Sequence, residues 1–254
     1  MQLGSARTPF LGIAIDDWSL GETVSYIEGN YSSKFVGVLT PNVDHLVRLN
    51  TNKEAGLVQA YASANVILND SQVVRYLSVL LRLGVKNTVR GSDLVPALLK
   101  NCKEKKILLI GPGQGVSKDL LSAFPIQHID VHTPPMGVVV DDEHFNALVK
   151  AASDDSYDLV LICLGCPVSE NALERLTKIR TRGTVICCGA SIDFLTGQQK
   201  RAPYFMQKLG LEWCYRAICN PRRLGNRYAK NAAGLLRLVT VRFFSGKLRT
   251  QDLW

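Results

Sequence analysis

Apolar runs of strand length alternate with helical stretches through the first 200 residues, and this alternation restricts the possible folds more than any other feature. Two runs, 105–111 (KKILLIG) and 158–165 (DLVLICLG), have continuously apolar centres, the pattern of parallel strands buried on both faces. Further strands are predicted at 34–42, 65–70, 128–135 and 183–190. Strands that alternate with helices over short links predict an α/β fold with a Rossmann-like, mostly parallel sheet flanked by helices.

Three helices are predicted between these strands. Residues 43–64 carry apolar side chains at helical intervals. A second helix is predicted over 71–84, ending at Gly84, and a third over 92–102, capped by Ser92.

Positive charge is concentrated at the C-terminus. The chain has 254 residues and a formal net charge of +8, and residues 201–254 hold 11 Lys and Arg against 2 Asp and Glu. A neutral body with a cationic tail suits phosphate, nucleic acid or an anionic membrane as a partner. We therefore expect an α/β core over 1–200 and a basic, membrane-associating C-terminal appendage over 201–254.

The cysteines and the N-terminus predict a cytoplasmic protein. The seven cysteines are odd in number and several lie in apolar runs, which indicates buried thiols rather than a disulfide framework. The N-terminus has no secretory apolar segment, and no apolar run reaches the roughly 18 residues of a membrane span. The apolar stretch 232–244 is interrupted by Arg237 and Arg242, so it suits an interfacial segment, a packed helix or a strand.

Several predicted strands end in small or polar residues. Ligands of open parallel sheets bind beyond the carboxyl ends of the strands. We therefore expect these strand ends to form one rim of the sheet. The rim positions are Thr40, Pro41, Asn42, Asn69, Asp70, Gly111, Pro112, Gly113, Gly165, Cys166, Pro167, Gly189 and Asp193.

Two rim features each allow a chemical and a structural interpretation. Asp70 directly follows a strand, so it is a candidate general base or a cap for the helix that begins at Ser71. The turn containing Gly111 and Gly113 joins a strand to a helix, so its backbone N–H groups either approach a phosphate or only form a tight turn.

The sequence does not favour a metal site. Cys163 and Cys166 have the C-x-x-C spacing, but no second pair with histidine follows them. The acidic residues of 140–144 (VDDEH) complement a helix dipole as well as they would bind a metal. The four histidines show no ligand spacing, so each is expected to be a surface or core residue; they are His45, His128, His132 and His144.

Residues 191–228, SIDFLTGQQKRAPYFMQKLGLEWCYRAICNPRRLGNRY, resemble the C-terminal signature of the WecG/TagA/CpsF glycosyltransferases, glycosyltransferase family 26. The stretches TPNVDHL, RGSDLVPALL, LLIGPGQGV and LICLGCPVSE match the family in the same order, so the resemblance runs from Phe35 to Tyr228. It implies an inverting transferase without a metal or other cofactor, located in the cytoplasm and peripherally associated with the inner face of the cell membrane.

The resemblance also implies the substrates. The donor would be a UDP-sugar carrying glucose, N-acetylmannosamine or a uronic acid derivative. The acceptor would be a polyprenyl-diphosphate-linked sugar, and the product would feed teichoic acid, capsule or exopolysaccharide biosynthesis. A homo-oligomer is compatible with the resemblance, whereas nucleic acid is not expected because the basic tail lacks a recognition module.

Site residues follow from the matching motifs. The base implied by the resemblance is Asp70, and the other catalytic positions are Thr40, Asn42 and Arg90. Binding of the nucleotide sugar is expected from Gly111, Gly113, Gly165, Pro167, Glu170, Gly189 and Asp193. Binding of the acceptor diphosphate and the membrane is expected from Lys200, Arg201, Arg222, Arg223 and Arg227.

Two segments depart from the family pattern. Residues 70–73 read Asp-Ser-Gln-Val where Asp-Gly-x-Gly is common, and residues 167–170 read Pro-Val-Ser-Glu where Pro-Lys-Gln-Glu is common. These departures leave the donor sugar open. They also support an alternative function, a non-catalytic nucleotide- or polyanion-binding protein derived from such a transferase.

Overall fold

The computed structural model describes residues 7–51, 54–111, 113 and 115–250. Within these ranges the strands are β1 (Thr8–Phe10), β2 (Ile13–Ile15), β3 (Phe35–Leu39), β4 (Val66–Ile67), β5 (Lys106–Ile110), β6 (His128–His132), β7 (Leu159–Ile162) and β8 (Gly183–Cys187). The helices are α1 (Leu20–Glu28), α2 (Val43–Thr51), α3 (Ala55–Ser63), α4 (Gln72–Leu80), α5 (Gly91–Leu99), α6 (Val116–Ala123), α7 (Glu143–Ala152), α8 (Val168–Thr177), α9 (Ser191–Leu195), α10 (Tyr204–Lys208), α11 (Glu212–Cys219) and α12 (Asn226–Phe244). One π-helical turn, Pro221–Gly225, precedes α12.

Six of these strands form a single sheet in the order β4-β3-β8-β7-β5-β6. Every neighbouring pair in that sheet is parallel. The predicted α/β fold with a mostly parallel sheet is therefore confirmed. Strands β1 and β2 form a separate antiparallel hairpin.

Helices cover both faces of the sheet. In β5, Leu108 and Ile110 pack into a core that includes residues of α2, α3, α7 and α8. The alternate residues Ile107 and Leu109 pack into a second core with α1, α5 and α6. Successive side chains of a strand point to opposite faces, so burial on both sides explains why these strands read as unbroken apolar runs.

Some predicted helix boundaries are wrong. The stretch 43–64 contains two helices, α2 and α3, instead of one. Helix α4 ends at Leu80, well before Gly84, because the Leu83 N–H turns back to the Ser78 carbonyl at 2.8 Å.

Ser92 does not cap α5, whose N-cap residue is Arg90. The helix begins instead at Gly91, where the chain passes very close to the turn that joins β8 to α9. A Cβ atom on Gly91 would lie 2.7 Å from the Ser191 hydroxyl oxygen. This close approach fixes the start of α5 beside the carboxyl end of β8.

The chain after residue 200 is helical and packs against the core. Helix α12 contains the stretch 232–244, so the strand interpretation of that stretch is wrong. Gly234 lies directly on α2, since a Cβ atom there would be 2.6 Å from Val47 Cγ1. The Asn231 amide also donates a hydrogen bond to Asp44 Oδ1 at 2.9 Å. The domain boundary at residue 200 stays a prediction.

No helix in the described part of the chain combines the length and the apolar character that crossing a membrane requires.

Candidate active site

The carboxyl ends of the sheet strands lie at one edge, because all six strands are parallel. Hydrogen bonds extend the sheet beyond the strands at this rim. The Asp70 N–H donates to the Pro41 carbonyl at 2.9 Å, which holds the end of β4 beside the end of β3. The Thr40 hydroxyl, which is buried, donates to the Cys187 carbonyl at 2.9 Å and so joins β3 to β8.

Asp70 interacts with the start of α5. Its Oδ1 accepts a hydrogen bond from the Gly91 N–H at 3.2 Å. It does not cap α4, because Ser71 is the N-cap residue and its hydroxyl accepts from the Val74 N–H. The helix-cap interpretation of Asp70 is therefore wrong, and its carboxylate is placed at the rim.

The rim environment makes Asp70 an unusually strong base for a carboxylate. Burial, followed by the negative charge of Glu212, raises the pKa of Asp70 to about 7. The Arg90 charge, the Gly91 N–H and the His45 charge act in the opposite direction. A carboxylate with a raised pKa accepts a proton better than an ordinary aspartate.

Arg90 and Arg201 share two carboxylates in a four-residue network. Arg90 contacts Glu212 Oε2 through Nε at 3.0 Å and Asp93 Oδ2 through Nη1 at 3.5 Å. Arg201 contacts Asp93 Oδ1 through Nη1 at 2.8 Å and Glu212 Oε1 through Nε at 3.7 Å. The Arg90 Nη2 also donates to the Gln207 carbonyl at 3.0 Å. Arg201 Nη2 is buried and has no hydrogen-bond partner among the described residues.

Asn42 and Glu170 hold a partly buried histidine, His45, at the rim. His45 Nε2 lies 3.0 Å from Glu170 Oε1, and its Nδ1 lies 3.1 Å from Asn42 Oδ1. Burial by itself lowers the pKa of His45, but Cys166 and Glu170 outweigh it and raise the pKa well above its usual range. Since burial also raises the pKa of the Cys166 thiol, the Glu170 carboxylate is the charge that keeps the imidazole protonated.

The same residues are the candidates for metal binding in the described part of the chain. The ligand atoms of His45, Cys166 and Glu170 all lie within 4.8 Å of one another. The thiols of the C-x-x-C spacing do not converge, because the Cys163 sulfur lies 3.5 Å from that of Cys188 instead. The expectation that no metal is needed stays a prediction.

The glycines of the predicted nucleotide site differ in their surroundings. Gly111 has a φ of 102°, and a Cβ atom there would lie 2.7 Å from Leu164 Cδ2, so only glycine fits this turn. Gly165 and Gly189 both border open space, since a Cβ atom on either would meet nothing within 4 Å. Between them, Pro167 accepts a hydrogen bond through its carbonyl at the start of α8.

A cleft of ≈ 200 Å³ lies between the segment after α9 and α11. Asp193 adjoins it, because Asp193 Oδ2 accepts a hydrogen bond from the Gln199 amide at 2.6 Å. Lys200 and Arg216 give the cleft a positive charge. The residues that line it are Gln198, Gln199, Lys200, Tyr215, Arg216, Cys219, Asn220 and Leu224.

The glycine turn reaches the same cleft. A Cβ atom on Gly113 would lie 3.9 Å from the Gln198 amide. The structure thus brings Gly113, Asp193 and Lys200 to one side of the rim. Asn42, Asp70 and Arg90 lie toward the other side, after β3, after β4 and just before α5.

The remaining basic residues form an exposed surface. Arg222 and Arg227 are exposed, and the Arg227 guanidinium lies 5.3 Å from the centre of the Tyr228 ring. The side chain of Arg223 lies outside the described residues. Large apolar side chains are exposed on the neighbouring helices, namely Tyr204, Phe205, Leu209, Trp213, Ile218, Leu236, Val241, Phe243 and Phe244.

Sequence reasoning missed two residues of the rim. Glu212 was not among the predicted site residues although it pairs with Arg90, and its position in the matched stretch GLEW was the available signal. His45 was expected to be a surface or core residue, and its Asn42-x-x-His45 spacing at the start of a helix was the signal for the contact with Asn42.

Comparison with known proteins agrees with the sequence resemblance. The model of the glycosyl transferase WecG/TagA/CpsF family matches residues 8–248. The N-acetylglucosaminyldiphosphoundecaprenol N-acetyl-beta-D-mannosaminyltransferase of Bacillus subtilis strain 168 is 28% identical over 209 residues, which cover 81% of this chain and 80% of the relative. The enzyme of that name from Bacillus spizizenii is 27% identical over 217 residues, or 82% of this chain and 81% of the relative. The one from Staphylococcus aureus MRSA252 is 23% identical over 226 residues, or 87% and 88%.

Proposed function

The chain belongs to the WecG/TagA/CpsF family of glycosyltransferases, and we propose that it moves a hexose-type sugar from a UDP-sugar to a polyprenyl-diphosphate-linked sugar. The acceptor class is supported by the relatives, whose name specifies an N-acetylglucosaminyldiphosphoundecaprenol substrate. The product would enter cell-surface polysaccharide biosynthesis. The observation that carries the proposal is the placement of the Asp70 carboxylate at the rim, where the Gly91 N–H binds it at 3.2 Å, and burial there raises its pKa.

Asp70 acts as the general base in this proposal. Its carboxylate takes the proton from the acceptor hydroxyl as that oxygen attacks the anomeric carbon of the donor. The bond between the anomeric carbon and the diphosphate oxygen breaks at the same time, and UDP leaves with the electron pair. Attack from the face opposite the leaving group inverts the anomeric configuration. General base catalysis of this kind contributes about 10²–10⁴ in rate.

Cationic side chains stabilise the leaving diphosphate. Lys200 and Arg216 are the positive groups that line the proposed nucleotide cleft. Guanidinium groups bind phosphate oxygens in a bidentate manner, and stabilisation of developing charge is often the largest catalytic contribution. We propose that these side chains, rather than a metal ion, balance the charge of the diphosphate.

The nucleotide would lie along the cleft. Asp193 would accept hydrogen bonds from ribose hydroxyls or from the uracil N–H, and Gly113 would let the backbone approach the phosphates. Gly165 and Gly189 border open space at the rim, and the sugar would lie there. Ser169, in one of the segments that depart from the family pattern, is buried and donates to the Leu164 carbonyl at 2.8 Å, so it does not extend toward the sugar.

The exposed surface of α10 to α12 would rest on the inner face of the cell membrane. Trp213 and Phe205 represent its aromatic and apolar side chains, and Arg222 and Arg227 its charges. Basic groups next to apolar side chains bind anionic lipid surfaces, which is where a polyprenyl-linked acceptor is found.

A transfer assay tests this function. The purified full-length chain is incubated with a GlcNAc-diphosphate-lipid acceptor and, separately, with UDP-glucose, UDP-N-acetylmannosamine and a UDP-uronic acid. We expect one donor to be consumed and the product to carry an inverted anomeric bond, as read by mass spectrometry and NMR. Donor binding without transfer from any of them would contradict the proposal and favour the non-catalytic nucleotide-binding alternative.

A further inference from the structure

Glu212 connects the C-terminal appendage to the catalytic rim. It is the first residue of α11, and its side chain is 28% exposed. It contacts Arg90, which precedes α5 of the core, and Arg201, where the appendage begins. The carboxylate therefore lies between two guanidinium groups that come from different parts of the chain.

Other contacts attach the same segment to the core. The Tyr76 hydroxyl donates to the Lys208 carbonyl, and Arg90 donates to the Gln207 carbonyl at 3.0 Å. Gly210 lies close to α4, since a Cβ atom there would be 3.3 Å from Gln72 Cβ. Two ion pairs join the same parts of the chain, Glu212 with Arg90 at 3.0 Å and Arg201 with Asp93 at 2.8 Å.

All three nitrogens of the Arg90 guanidinium face a partner in this network. Its Nε faces Glu212, its Nη1 faces Asp93, and its Nη2 donates to Gln207. Arg90 acts as the core half of a contact between the rim and the appendage.

We propose that Glu212 is a positioning residue that clamps α10 and α11 to the rim through Arg90, and that it keeps a negative charge next to Arg90, whose neighbour Gly91 binds Asp70. The inference rests on the proposed function, in which Asp70 is the base. It assigns two effects to one carboxylate. The first effect is to hold α10 and α11 against the rim, and the second is to keep Asp70 basic.

The charges around Asp70 give the direction of the second effect. Glu212 of α11 raises the pKa of Asp70, while Arg90 before α5 and His45 of α2 lower it. In Glu212→Gln the raising charge is lost and Arg90 is no longer balanced by it. Both changes lower the pKa of Asp70, so the base ionises at lower pH and is weaker once ionised.

Two measurements on the full-length chain test the inference. Hydrogen exchange of the peptide amides of α10 and α11, without substrate, reports the clamp. We expect exchange about threefold to tenfold faster in Glu212→Gln, with β5 and β7 unchanged. The pH dependence of kcat/KM reports the charge effect. We expect its acid limb, near pH 7 in the wild type, to move to lower pH and its plateau to fall.

Two further variants serve as controls. Glu212→Asp keeps the charge and should restore most of the wild-type acid limb. Glu104→Gln removes one exposed carboxylate at the opposite edge of the sheet, before β5, and should change neither measurement.

Unchanged exchange in Glu212→Gln overturns the clamp, and faster exchange with an unmoved acid limb overturns the charge effect. A wild-type chain that transfers no sugar would refute the proposed function instead. The exchange measurement would still decide the clamp in that case, because it needs no turnover.

Discussion

Replacing Asp70 by Asn should make the protein more stable at alkaline pH while it slows transfer. Burial raises the pKa of Asp70 to about 7 in the folded chain, from 3.8 for an unperturbed group. The folded protein therefore keeps a proton that the unfolded chain has lost over roughly pH 4 to 7. Wild-type stability falls as pH rises through this window, and the full cost applies above pH 7.

The size of the effect follows from the shift. About three pKa units at 1.36 kcal/mol each correspond to about 4 kcal/mol. The side chain is partly exposed, so solvent screening reduces the expected cost to about 2–4 kcal/mol. In Asp70→Asn the amide oxygen still accepts the hydrogen bond that the Gly91 N–H donates to Asp70 Oδ1, but the group carries no charge at any pH.

Urea unfolding of wild type and Asp70→Asn at pH 8 and at pH 4.5 measures this cost. We expect the variant to be more stable by about 2–4 kcal/mol at pH 8 and by about 1 kcal/mol or less at pH 4.5. Asp119→Asn, at an exposed position of α6, is the matched control and should show no such pH-dependent difference. A variant that is no more stable than the wild type at pH 8 would refute the buried-carboxylate reasoning.

Two further predictions concern the appendage. The double variant Arg222→Ala, Arg227→Ala should bind anionic vesicles about 30-fold more weakly, because each basic residue contributes about 1 kcal/mol to the binding free energy. Vesicle sedimentation measures this, with Lys103→Ala as the control, and unchanged binding would exclude this surface as the membrane-binding one. Gly234→Ala should lower the Tm, because the new Cβ would lie 2.6 Å from Val47 Cγ1. Gly21→Ala has open space around its Cβ and should raise the Tm through the higher helix propensity of alanine. Equal Tm shifts in the two variants would contradict the tight contact between α2 and α12.

The fold was predictable because burial on both faces leaves a direct trace in the sequence. Runs such as 105–111 and 158–165 can lie in few places other than the middle of a parallel sheet. Parallel strands then place Asp70 and Asp193 at the same edge without further information. Helix ends were less predictable, since the start of α5 depends on a close contact between Gly91 and Ser191 that is 100 residues away in the chain.

The site was predictable only where a residue stands at a strand end. Asp70 has that position, whereas Glu212 reaches the rim because α11 folds back onto the core. Arg201 shows the same limit. The family resemblance implied that it binds the acceptor diphosphate or the membrane, but its partners Asp93 and Glu212 come from other elements and could not be read from its neighbours. Pairing between distant charges is set by tertiary packing, which no local pattern records.

The kinetic comparison of Asp70→Asn with Asp193→Asn tests most directly whether Asp70 acts as the base and Asp193 as a nucleotide contact. A base acts only in the transition state, whereas a nucleotide contact acts in the ground state as well. Asp70→Asn should lower kcat by about 10²–10⁴ and leave the donor KM within about twofold. Asp193→Asn should instead raise the donor KM and change kcat little. An Asp70→Asn variant that transfers sugar at the wild-type kcat would contradict the assignment of Asp70 as the base.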